Sequence, residues 1–487
     1  AVVEDWNGFI DALLRPLPTC IWTNPTRIDA AALQALIAEE GVAVESIQWR
    51  AIADNHSDAG STAGADASSL IGSTPASAFR LPSGYKAGQR WWYCAGLAHA
   101  QEEVSQIPVT LMDLAPGQRV LDLCAAPGGK SAQIAFALGN SGTLLANDFS
   151  PERIAALQGN LERLGIVNCS TTWCDAGNYP AAAGSFDRIL VDAPCSSEGT
   201  LRRNRSLANR IGAGRSERMA SRQRALLRKA VQLCRPGGRI VYSTCTFAPE
   251  ENELVVAEVL DDYAGRLSLM PARVEGLTTG PGITRWQDRE LDASLARCMR
   301  VWPHLNDTGG FFVAVIEKDA GAPGLPDAVP GNLGAEQEDA GWIDSLAEHY
   351  GLGDGLRQHY RTHRQTRRGL HLAAADHAPP AVPAPQGSGL FFHRTNLRPP
   401  KLTTAGAMLL GSHATRNRLD LTAAQRDAYI RREDLTPTRG QTTDCSLGQV
   451  LVRHRGFTLG VALSHRSGTL QSLFPRKWRG CAAGGSY

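Results

Sequence analysis

The sequence lacks the features that define several common classes of protein. No apolar run reaches the roughly 18–20 residues that a membrane-spanning helix needs, and no basic segment stands at the N-terminus as in a secretory leader. The eleven cysteines form no CxxC pair and no regular disulfide-like spacing, so they give no indication of a zinc site. We therefore expect a cytoplasmic protein with reduced thiols and without a bound metal.

Two common nucleotide-binding patterns are also missing. The stretch LDLCAAPGGKSAQIA (121–135) contains the Gly129-Lys130-Ser131 end of a P-loop, but Cys124 stands where the first glycine of that loop is required. The dinucleotide-binding pattern GxGxxG does not occur there either. The glycine turn still follows an apolar strand and opens a helix, which is the usual ligand site of a doubly wound sheet.

The chain from about 119 to 317 alternates apolar strands with amphipathic helices. The stretches RVLDLCA (119–125) and RIVYSTC (239–245) are typical of buried strands, and PERIAALQGNLERLG (151–165) is typical of a helix that ends at glycine. This alternation predicts an α/β fold with a parallel sheet covered by helices on both faces.

The regions on either side of this segment have different patterns. An α/β pattern opens the chain and includes a predicted strand over 44–53, and the small polar residues 56–78 predict a loop. After a Pro- and Gly-rich stretch, short helices are predicted over 341–373. Residues 449–465 alternate as in a β-hairpin with Arg455-Gly456 at its turn.

Three aspartates lie at the ends of successive predicted strands beside the glycine turn. They are Asp122, Asp148, which stands 19 residues after Gly129, and Asp175. A carboxylate about 20 residues beyond such a turn can accept hydrogen bonds from ribose hydroxyls, and Asp175 is a candidate for an adenine amino group. A single aspartate there often only caps the next segment. Together, the three acids indicate an adenosine ligand without a triphosphate.

Two further predicted strands end in cysteines. FDRILVDAPCSSEG (186–199) places Asp192 and Cys195 just past one strand, and RIVYSTC places Cys245 at the end of another. Functional groups of an open α/β sheet gather outside the carboxyl ends of its strands. We therefore expect both thiols to meet near the glycine turn, although a single cysteine is more often a buried, unreactive side chain.

Two thiols and an acid suit the methylation of carbon 5 of a cytosine. A thiolate that adds to carbon 6 turns carbon 5 into an enamine-type carbon, which can attack a sulfonium methyl. Asp192 can hold the ring at N3 and stabilise charge as it forms. Cys245 must be present as a thiolate, because a free thiol is mostly protonated at neutral pH, and Cys195 is placed to assist release of the thioether.

At these residues the sequence resembles the NOL/NOP/Sun family of RNA (cytosine-5)-methyltransferases. The motifs cover most of 119–316 and read, in chain order, LDLCAAPGGKSAQIA, ANDFSPERIAAL, DAPCSSEGT, STCTFAPEENE and RVWPHLNDTGGFFVA. DNA cytosine methylases use the cysteine of the earlier Pro-Cys motif as the nucleophile. The STCTF motif therefore favours the RNA family.

The resemblance implies the cofactor and the site residues. The cofactor is S-adenosyl-L-methionine, and the catalytic residues are Cys245 as nucleophile and Cys195 for release, together with Asp192 and Lys130. The implied cofactor-binding residues are Cys124, Ala125, Ala126, Pro127, Gly128, Gly129, Lys130, Asp148, Arg153, Asp175 and Asp192.

The resemblance also implies a domain order and a monomer. An N-terminal RNA-recognition-like α/β domain (1–105) precedes a Rossmann-like S-adenosylmethionine-dependent methyltransferase core (106–319), a linker with short helices (320–387) and a C-terminal PUA-like β-rich RNA-binding module (388–487). Bacterial relatives with such a tail act on small-subunit ribosomal RNA, and eukaryotic relatives with a similar tail act on tRNA. The sequence does not decide between these two RNA substrates. A non-catalytic ribosome-assembly factor is a further alternative, although such a factor would need neither thiol.

The charge pattern indicates where RNA would bind. The net charge is only +2, so a nucleic-acid-binding surface must be local. Residues 202–239 hold twelve Lys/Arg and a single acid, Glu217, and residues from Ser446 to Tyr487 hold six Lys/Arg and no acid. The first stretch lies between the two cysteine motifs. We expect it to flank the mouth of the site and contact phosphates, unless it is only a solvated helix face.

Overall fold

The computed structural model describes most of the chain. It covers residues 3–51, 77–210, 212–331, 340–353, 359–366, 369–395 and 401–478. The loop predicted over 56–78 lies almost wholly outside these residues. Within the described ranges, every helix is too short or too polar to span a membrane.

The N-terminal region is a small α/β unit, as its pattern predicts. Strands β1, β2, β4 and β5 form an antiparallel sheet in the order β2-β4-β1-β5. Its elements are α1 (Trp6–Leu14), β1 (Thr19–Thr23), α2 (Ala30–Ala38), β2 (Glu45–Ser46), β3 (Arg50–Ala51), β4 (Ala78–Leu81), α3 (Trp91–Cys94), β5 (Ala98–Ala100) and α4 (Ile107–Thr110).

The single strand predicted over 44–53 is wrong. The chain forms two strands of two residues each, because it changes partners along this stretch. Strand β2 pairs with β4 of the N-terminal sheet, whereas β3 pairs with a strand near residue 274. An apolar pattern alone does not reveal such an exchange of partners.

The central region is the predicted doubly wound sheet. Its elements are β6 (Arg119–Asp122), α5 (Gly129–Ala137), β7 (Thr143–Asp148), α6 (Pro151–Leu164), β8 (Cys169–Trp173), β9 (Phe186–Asp192), α7 (Ala213–Leu233), β10 (Cys234–Thr244), α8 (Glu253–Asp262), β11 (Leu267–Met270), β12 (Val274–Glu275), β13 (Thr279–Pro281), β14 (Arg285–Trp286), β15 (Arg289–Glu290), β16 (Met299–Val301), α9 (Pro303–Asn306) and β17 (Phe311–Lys318).

The order of strands in this sheet places the site. The sheet runs β13-β16-β17-β10-β9-β6-β7-β8, and a short strand at Gly387–Ser388 pairs with β8 at its edge. Strands β8, β7, β6, β9 and β10 are mutually parallel. Strand β17 then runs antiparallel to β10. The direction of winding reverses between β6 and β9, and a crevice opens outside the carboxyl ends of strands at such a point.

Local sequence fixes where the helices around that crevice begin and end. Helix α6 begins with Ser150 as its N-cap, whose hydroxyl accepts from the Arg153 N–H, and Pro151 occupies its first turn. It ends at Gly165 in the left-handed conformation. The strand–helix boundary at 148–151 therefore holds Asp148 at the edge of the sheet.

The C-terminal region contains both helices and strands. Its elements are α10 (Ala340–Tyr350), β18 (Tyr360–Thr366), β19 (Gly369–Ala374), β20 (Gly387–Ser388), β21 (Leu390–Arg394), β22 (Lys401–Leu402), α11 (Thr404–Leu410), β23 (Arg418–Asp420), α12 (Ala423–Arg431), β24 (Gly448–His454), β25 (Phe457–Ser464) and β26 (Leu470–Ser472). The predicted hairpin is confirmed as β24 and β25, with Arg455 and Gly456 both at positive φ in the turn.

Among the described residues, the helices predicted over 341–373 are confirmed at α10, whereas residues 360–366 and 369–374 form strands. Strands β18 and β19 follow and pair in a sheet with β21 and β22. Leu370 and Leu372 are buried on either side of the less buried His371, which is the period-two pattern of a strand. The many basic residues of the preceding stretch conceal that pattern in the sequence.

One hydrophobic cluster joins the two ends of the chain. It contains Trp92 of the N-terminal unit together with Phe392 and Tyr429 of the C-terminal region. At its edge, the indole of Trp91 contacts the rings of His454 and Phe457 of the hairpin. The N- and C-terminal regions therefore pack directly against each other, beside the central sheet.

Candidate active site

The crevice at the carboxyl ends of β6, β7, β9 and β10 brings the predicted site residues together. Its cavity has a volume of about 150 Å³. The predicted residues that line it are Cys124, Ala126, Asp148, Arg153, Asp192, Cys195 and Cys245. The site is therefore formed by strand ends that are far apart in sequence and adjacent in the sheet.

The glycine turn between β6 and α5 forms one wall. Gly128 has a φ of 105°, and a Cβ there would meet Leu157 Cδ1 at 2.7 Å, so the turn requires glycine. The Ala126 N–H donates to Asp148 Oδ2 at 3.3 Å. The Arg153 guanidinium lies 3.2 Å from the same carboxylate and donates to the Ala126 carbonyl at 2.6 Å. Asp148 and Arg153 thus hold the turn open from the β7–α6 side.

Asp192 and Lys130 form an ion pair on the opposite wall. Lys130 Nζ lies 2.7 Å from Asp192 Oδ2 and donates to Ser105 Oγ at 2.6 Å. Ser243 donates to the other oxygen of Asp192 at 2.8 Å. Each oxygen of Asp192 therefore has a partner, and its carboxylate is oriented before any ligand binds.

The two cysteines meet in the same cavity. Cys195 Sγ lies 3.3 Å from Cys245 Sγ, and Ser197 Oγ lies 3.8 Å from Cys195 Sγ. Cys195 is buried, whereas Cys245 is partly exposed to the cavity. Gly199 donates its N–H to the carbonyl of Cys245 at 2.9 Å, which ties the loop after β9 to the end of β10.

The surroundings divide the two thiols into a donor and an acceptor. The hydrogen bond from the Cys195 thiol lowers the pKa of Cys245, and Ser197 and Lys130 act in the same direction against burial and the charge of Asp192. The same hydrogen bond, together with burial, raises the pKa of Cys195 well above its ordinary value. Cys245 is therefore the thiol that favours the thiolate form.

The remaining predicted cofactor residues lie around the cavity rather than in it. Ala125, Pro127, Gly128 and Gly129 shape the turn but are not among the lining residues. Asp175 lines a second, larger cavity of about 420 Å³ beside the first. Its carboxylate accepts from Gly177 N–H and the Asn178 amide, so it caps the next turn as well as facing that cavity.

Several residues of the site were not named individually from the sequence. Phe149 and Arg222 line both cavities, and the Arg222 guanidinium lies 4.7 Å from the centre of the Phe149 ring. Ser105 and Ser243, which hold Lys130 and Asp192, were also missed. Phe149 directly follows Asp148, and Ser243 stands two residues before Cys245, so both could have been found by extending the strand-end argument. Nothing in the sequence pairs Ser105 with Lys130.

The basic stretch 202–239 is less available to RNA than its charge indicates. Arg202 is buried and forms an ion pair with Asp307, and four further arginines form ion pairs with acids elsewhere in the central region: Arg224, Arg228, Arg235 and Arg239. The exposed Arg222 on α7 does reach the mouth of the cavity. The expectation that this stretch flanks the mouth holds for Arg222, but much of its charge is neutralised within the protein.

The other cysteines are mostly buried, as expected for structural thiols. The buried ones are Cys20, Cys94, Cys169, Cys234 and Cys298. Cys174 and Cys445 are instead partly exposed, and Cys481 lies outside the described residues. Among the described residues, no group of His, Cys, Asp and Glu has the arrangement of a metal site.

The residues of the two cavities fit a cofactor with an adenosine and a sulfonium group. Asp148, Asp175 and Asp192 supply carboxylates for hydroxyl, amino and positively charged groups, and the turn at Gly128 leaves the backbone accessible. Phe149 and Leu226 add apolar surface on which a flat ring can lie. The donor set therefore suits S-adenosylmethionine.

The fold and the site define the class of the protein: the central region is a Rossmann-like, S-adenosylmethionine-dependent methyltransferase. It is similar to the crystal structure of a methyltransferase homologue from Pyrococcus horikoshii, with a TM-score of 0.51 and 28% identity, covering 64% of this chain and 90% of that one.

Two family models identify the family. Residues 109–317 match the model described as 16S rRNA methyltransferase RsmB/F, and residues 416–480 match the model described as the PUA domain of methyltransferase RsmF. The central region of the chain therefore matches the RsmB/F family over most of its length, and a region that matches the PUA domain follows it.

Curated relatives bear the same family name. The chain is 37% identical over 239 residues to ribosomal RNA small subunit methyltransferase F of Erwinia tasmaniensis, covering 48% of each chain. It is 34% identical over 324 residues to the protein of that name from Salmonella paratyphi C, covering 66% of this chain and 61% of that one. The chain thus spans about half to three fifths of the length of these relatives.

The turn at Gly128 gives a direct test of the cofactor site. Gly128→Ala forces a Cβ into a left-handed conformation and against Leu157, at a cost on the order of 1–3 kcal/mol. We expect the affinity for S-adenosylhomocysteine, measured by titration calorimetry, to fall at least about fivefold.

Gly159→Ala is the matched control, because Gly159 lies in α6 with open space around its Cβ position. It should leave the affinity unchanged. Equal affinities for the Gly128 and Gly159 variants would contradict the assignment of this turn to the cofactor.

Proposed function

We propose that the protein transfers a methyl group from S-adenosylmethionine to carbon 5 of a cytosine in RNA, through a covalent bond between Cys245 and the base. The observation that carries the proposal is the meeting of the Cys195 and Cys245 sulfurs, 3.3 Å apart, in a cavity that Asp192 also lines. A pure RNA-binding factor would need neither the paired thiols nor the oriented carboxylate.

Each residue has a distinct task in this reaction. Cys245, as the thiolate, adds to carbon 6 of the cytosine and forms a C–S bond, which makes carbon 5 nucleophilic. The bound cofactor supplies an electrophilic methyl group to carbon 5. Once N3 of the ring carries a proton, which neutralises the charge that the thiolate brings, Asp192 accepts a hydrogen bond from N3–H, and Lys130 keeps Asp192 in place.

Release of the product requires the reverse of the first step. The proton on carbon 5 leaves to a base, and the electrons of that C–H bond expel the sulfur from carbon 6. Cys195 stands at hydrogen-bond distance from that sulfur. Its thiol can therefore donate to the departing thiolate of Cys245, which stabilises the negative charge as the C–S bond breaks.

We propose small-subunit ribosomal RNA as the substrate, either free or within the assembled subunit. The names of the matching family model and of the relatives support it. The PUA-like match at 416–480 and the exposed Arg222 at the cavity mouth are consistent with an RNA partner. The target cytosine must be unpaired or flipped, because a base within a duplex does not reach a cysteine at the bottom of a crevice.

The division of labour along the chain is part of the proposal. We assign RNA contacts to residues 1–105 and 388–487 and catalysis to 106–319, with 320–387 as the connecting segment. The direct packing of the N- and C-terminal regions supports a joint RNA-binding surface, and we propose that the protein acts as a monomer in the cytoplasm.

Substitution of the nucleophile tests the chemistry. We expect Cys245→Ala to reduce formation of 5-methylcytosine below detection, because no other thiol reaches the cavity from the end of β10. The same variant should keep its affinity for S-adenosylhomocysteine within about twofold of wild type. Liquid chromatography with mass spectrometry of digested RNA measures the product. Cys234→Ala, on a buried cysteine at the start of β10, is the control, and a Cys245 variant that still makes 5-methylcytosine would sink the covalent route.

Substitution of the second cysteine tests release. With Cys195→Ala, the Cys245 thiolate loses its hydrogen-bond donor as a leaving group, so a covalent RNA–protein adduct should accumulate. A denaturing gel with end-labelled RNA detects it as a slow band that disappears in the Cys195→Ala, Cys245→Ala double variant. Absence of the band, with methyl transfer at the wild-type rate, would remove Cys195 from the release step.

The RNA substrate can be identified in cells. Bisulfite sequencing of ribosomal RNA and tRNA from cells that lack the gene should show one cytosine of small-subunit ribosomal RNA that is no longer methylated. Complementation with the wild-type gene, but not with Cys245→Ala, should restore it. A lost tRNA position with unchanged ribosomal RNA would favour the tRNA alternative, and no lost position in either RNA would favour a non-catalytic role.

A further inference from the structure

A buried polar cluster joins the two loops that carry the cysteines. We name it the Ser196–Thr246 cluster, and it consists of Ser196, Glu198, Thr246 and Glu251. Ser196 directly follows Cys195, and Thr246 directly follows Cys245. All four side chains are buried, and Glu251 and Thr246 are at most 1% exposed. The cluster therefore lies behind both sulfurs, outside the set of residues that line the cavity.

The hydrogen bonds of the cluster cross from one loop to the other. Ser196 Oγ lies 2.7 Å from Glu198 Oε2 and 2.9 Å from Thr246 Oγ1, and it also contacts Glu251 Oε1. Thr246 Oγ1 contacts the same oxygen of Glu198. The second oxygen of Glu251 accepts from the Ser196 N–H at 3.0 Å and from the Gln223 amide at 2.8 Å.

A count of hydrogens shows that the two carboxyl groups do not both ionise. Three close contacts each join a hydroxyl oxygen of Ser196 or Thr246 to a carboxyl oxygen of Glu198 or Glu251, but the two hydroxyl groups supply only two hydrogens. No Lys or Arg forms an ion pair with Glu198 or Glu251 in the described part of the chain. Two buried carboxylates without a cation would be strongly disfavoured, so one proton is retained.

The contacts locate that proton on Glu251. Glu251 Oε1 has Ser196 Oγ as its neighbour, while Ser196 and Thr246 both direct their hydroxyls to Glu198 Oε2. A proton on Glu251 Oε1 completes a chain in which Glu251 donates to Ser196 and Ser196 donates to Glu198. Burial also raises the pKa of Glu251, in agreement with this arrangement.

The backbone carries the effect of the cluster to the sulfurs. Gly199 binds the Cys245 carbonyl, and Gln223 bridges Glu251 and the Pro194 carbonyl just before Cys195. The loop after β9 and the loop after β10 are thus connected on both sides of the cysteines. Their separation fixes the distance between the sulfurs, on which the hydrogen bond to Cys245 depends.

We propose that Glu251 and Glu198, through Ser196 and Thr246, act as positioning residues that hold the two cysteine sulfurs in contact, and that Glu251 does so as a neutral acid. The inference rests on the proposed function, since it explains how the nucleophile is kept reactive. The groups that face Cys245 itself are Cys195, Ser197, Asp192 and Lys130, and none of them belongs to the cluster.

The test measures the reactivity of Cys245 in the full chain without RNA or cofactor. Iodoacetamide alkylates thiolates, so the pH at which Cys245 alkylation reaches half its maximal rate reports the pKa of the thiol. Mass spectrometry of the peptide that contains Cys245 follows the reaction. Cys195→Ala, which removes the hydrogen-bond donor, sets the size of the upward shift to be expected when the sulfurs lose contact.

The variants at Glu251 distinguish a neutral acid from a carboxylate. Glu251→Gln retains a donor to Ser196 and an acceptor for Gln223, so its alkylation midpoint and rate of methyl transfer should stay within about twofold of wild type. Glu251→Ala should raise the midpoint about as far as Cys195→Ala does and lower kcat at least tenfold, with the KM for the cofactor unchanged. Glu250→Gln is the matched control, because Glu250 contacts the Trp286 indole and lies outside the cluster.

Two results would overturn the proposal. If Glu251→Gln raised the midpoint as much as Glu251→Ala, the residue would act as a carboxylate rather than as a neutral acid. If neither Glu251→Ala nor Ser196→Ala moved the midpoint, the cluster would not position the sulfurs. If near-ultraviolet circular dichroism shows that Glu251→Ala has lost its fold, the alkylation midpoints of Ser196→Ala and the isosteric Thr246→Val decide whether the cluster positions the sulfurs. Alkylation requires no RNA. If the variants shift the midpoint as expected but the wild-type protein methylates no RNA, that result would contradict the proposed function alone.

Discussion

The contact between the two cysteine sulfurs is the interaction on which the rest of the site depends. Among the residues that the structure describes, neither thiol has a histidine beside it, and neither lies at a helix N-terminus, which are the usual means of lowering a thiol pKa. Cys245 instead faces one cation, Lys130, and one anion, Asp192, whose effects on the thiolate oppose each other. The hydrogen bond from Cys195 therefore decides the balance, and it exists only while the loops after β9 and β10 keep their separation.

Much of this site could be predicted because strand ends carry positional information. Once β6, β7, β9 and β10 are recognised as parallel strands, their carboxyl ends must share one edge, and Asp148, Asp192, Cys195 and Cys245 follow directly from that rule. The same rule required no knowledge of side-chain contacts. It also explains why the central region was predicted more accurately than the regions on either side, where chain segments pair in more than one sheet.

The errors have physical causes that a single sequence does not reveal. The described part of the segment 44–53 divides between two sheets, and residues 360–366 and 369–374 form strands because β21 is available to pair with β19. The basic stretch 202–239 was expected to bind phosphates, but Arg202, Arg228 and Arg239 meet acids that are distant in sequence. Ser105 reaches Lys130 only through the fold. In each case the deciding partner is non-local.

The acidic groups near the cavity are of two kinds. Asp148 and Asp192 line the cavity, and each forms an ion pair with a cation, Arg153 and Lys130. Within the described part of the chain, Glu198 and Glu251 form no such pair, and they are buried behind the cysteines, where a retained proton lets them bind each other through hydroxyl groups. Acids paired with cations therefore face the cavity, and acids joined through hydroxyl groups support the loops. A network of this kind holds two loops at a fixed spacing because each hydrogen bond is directional, which packing by apolar side chains alone does not achieve.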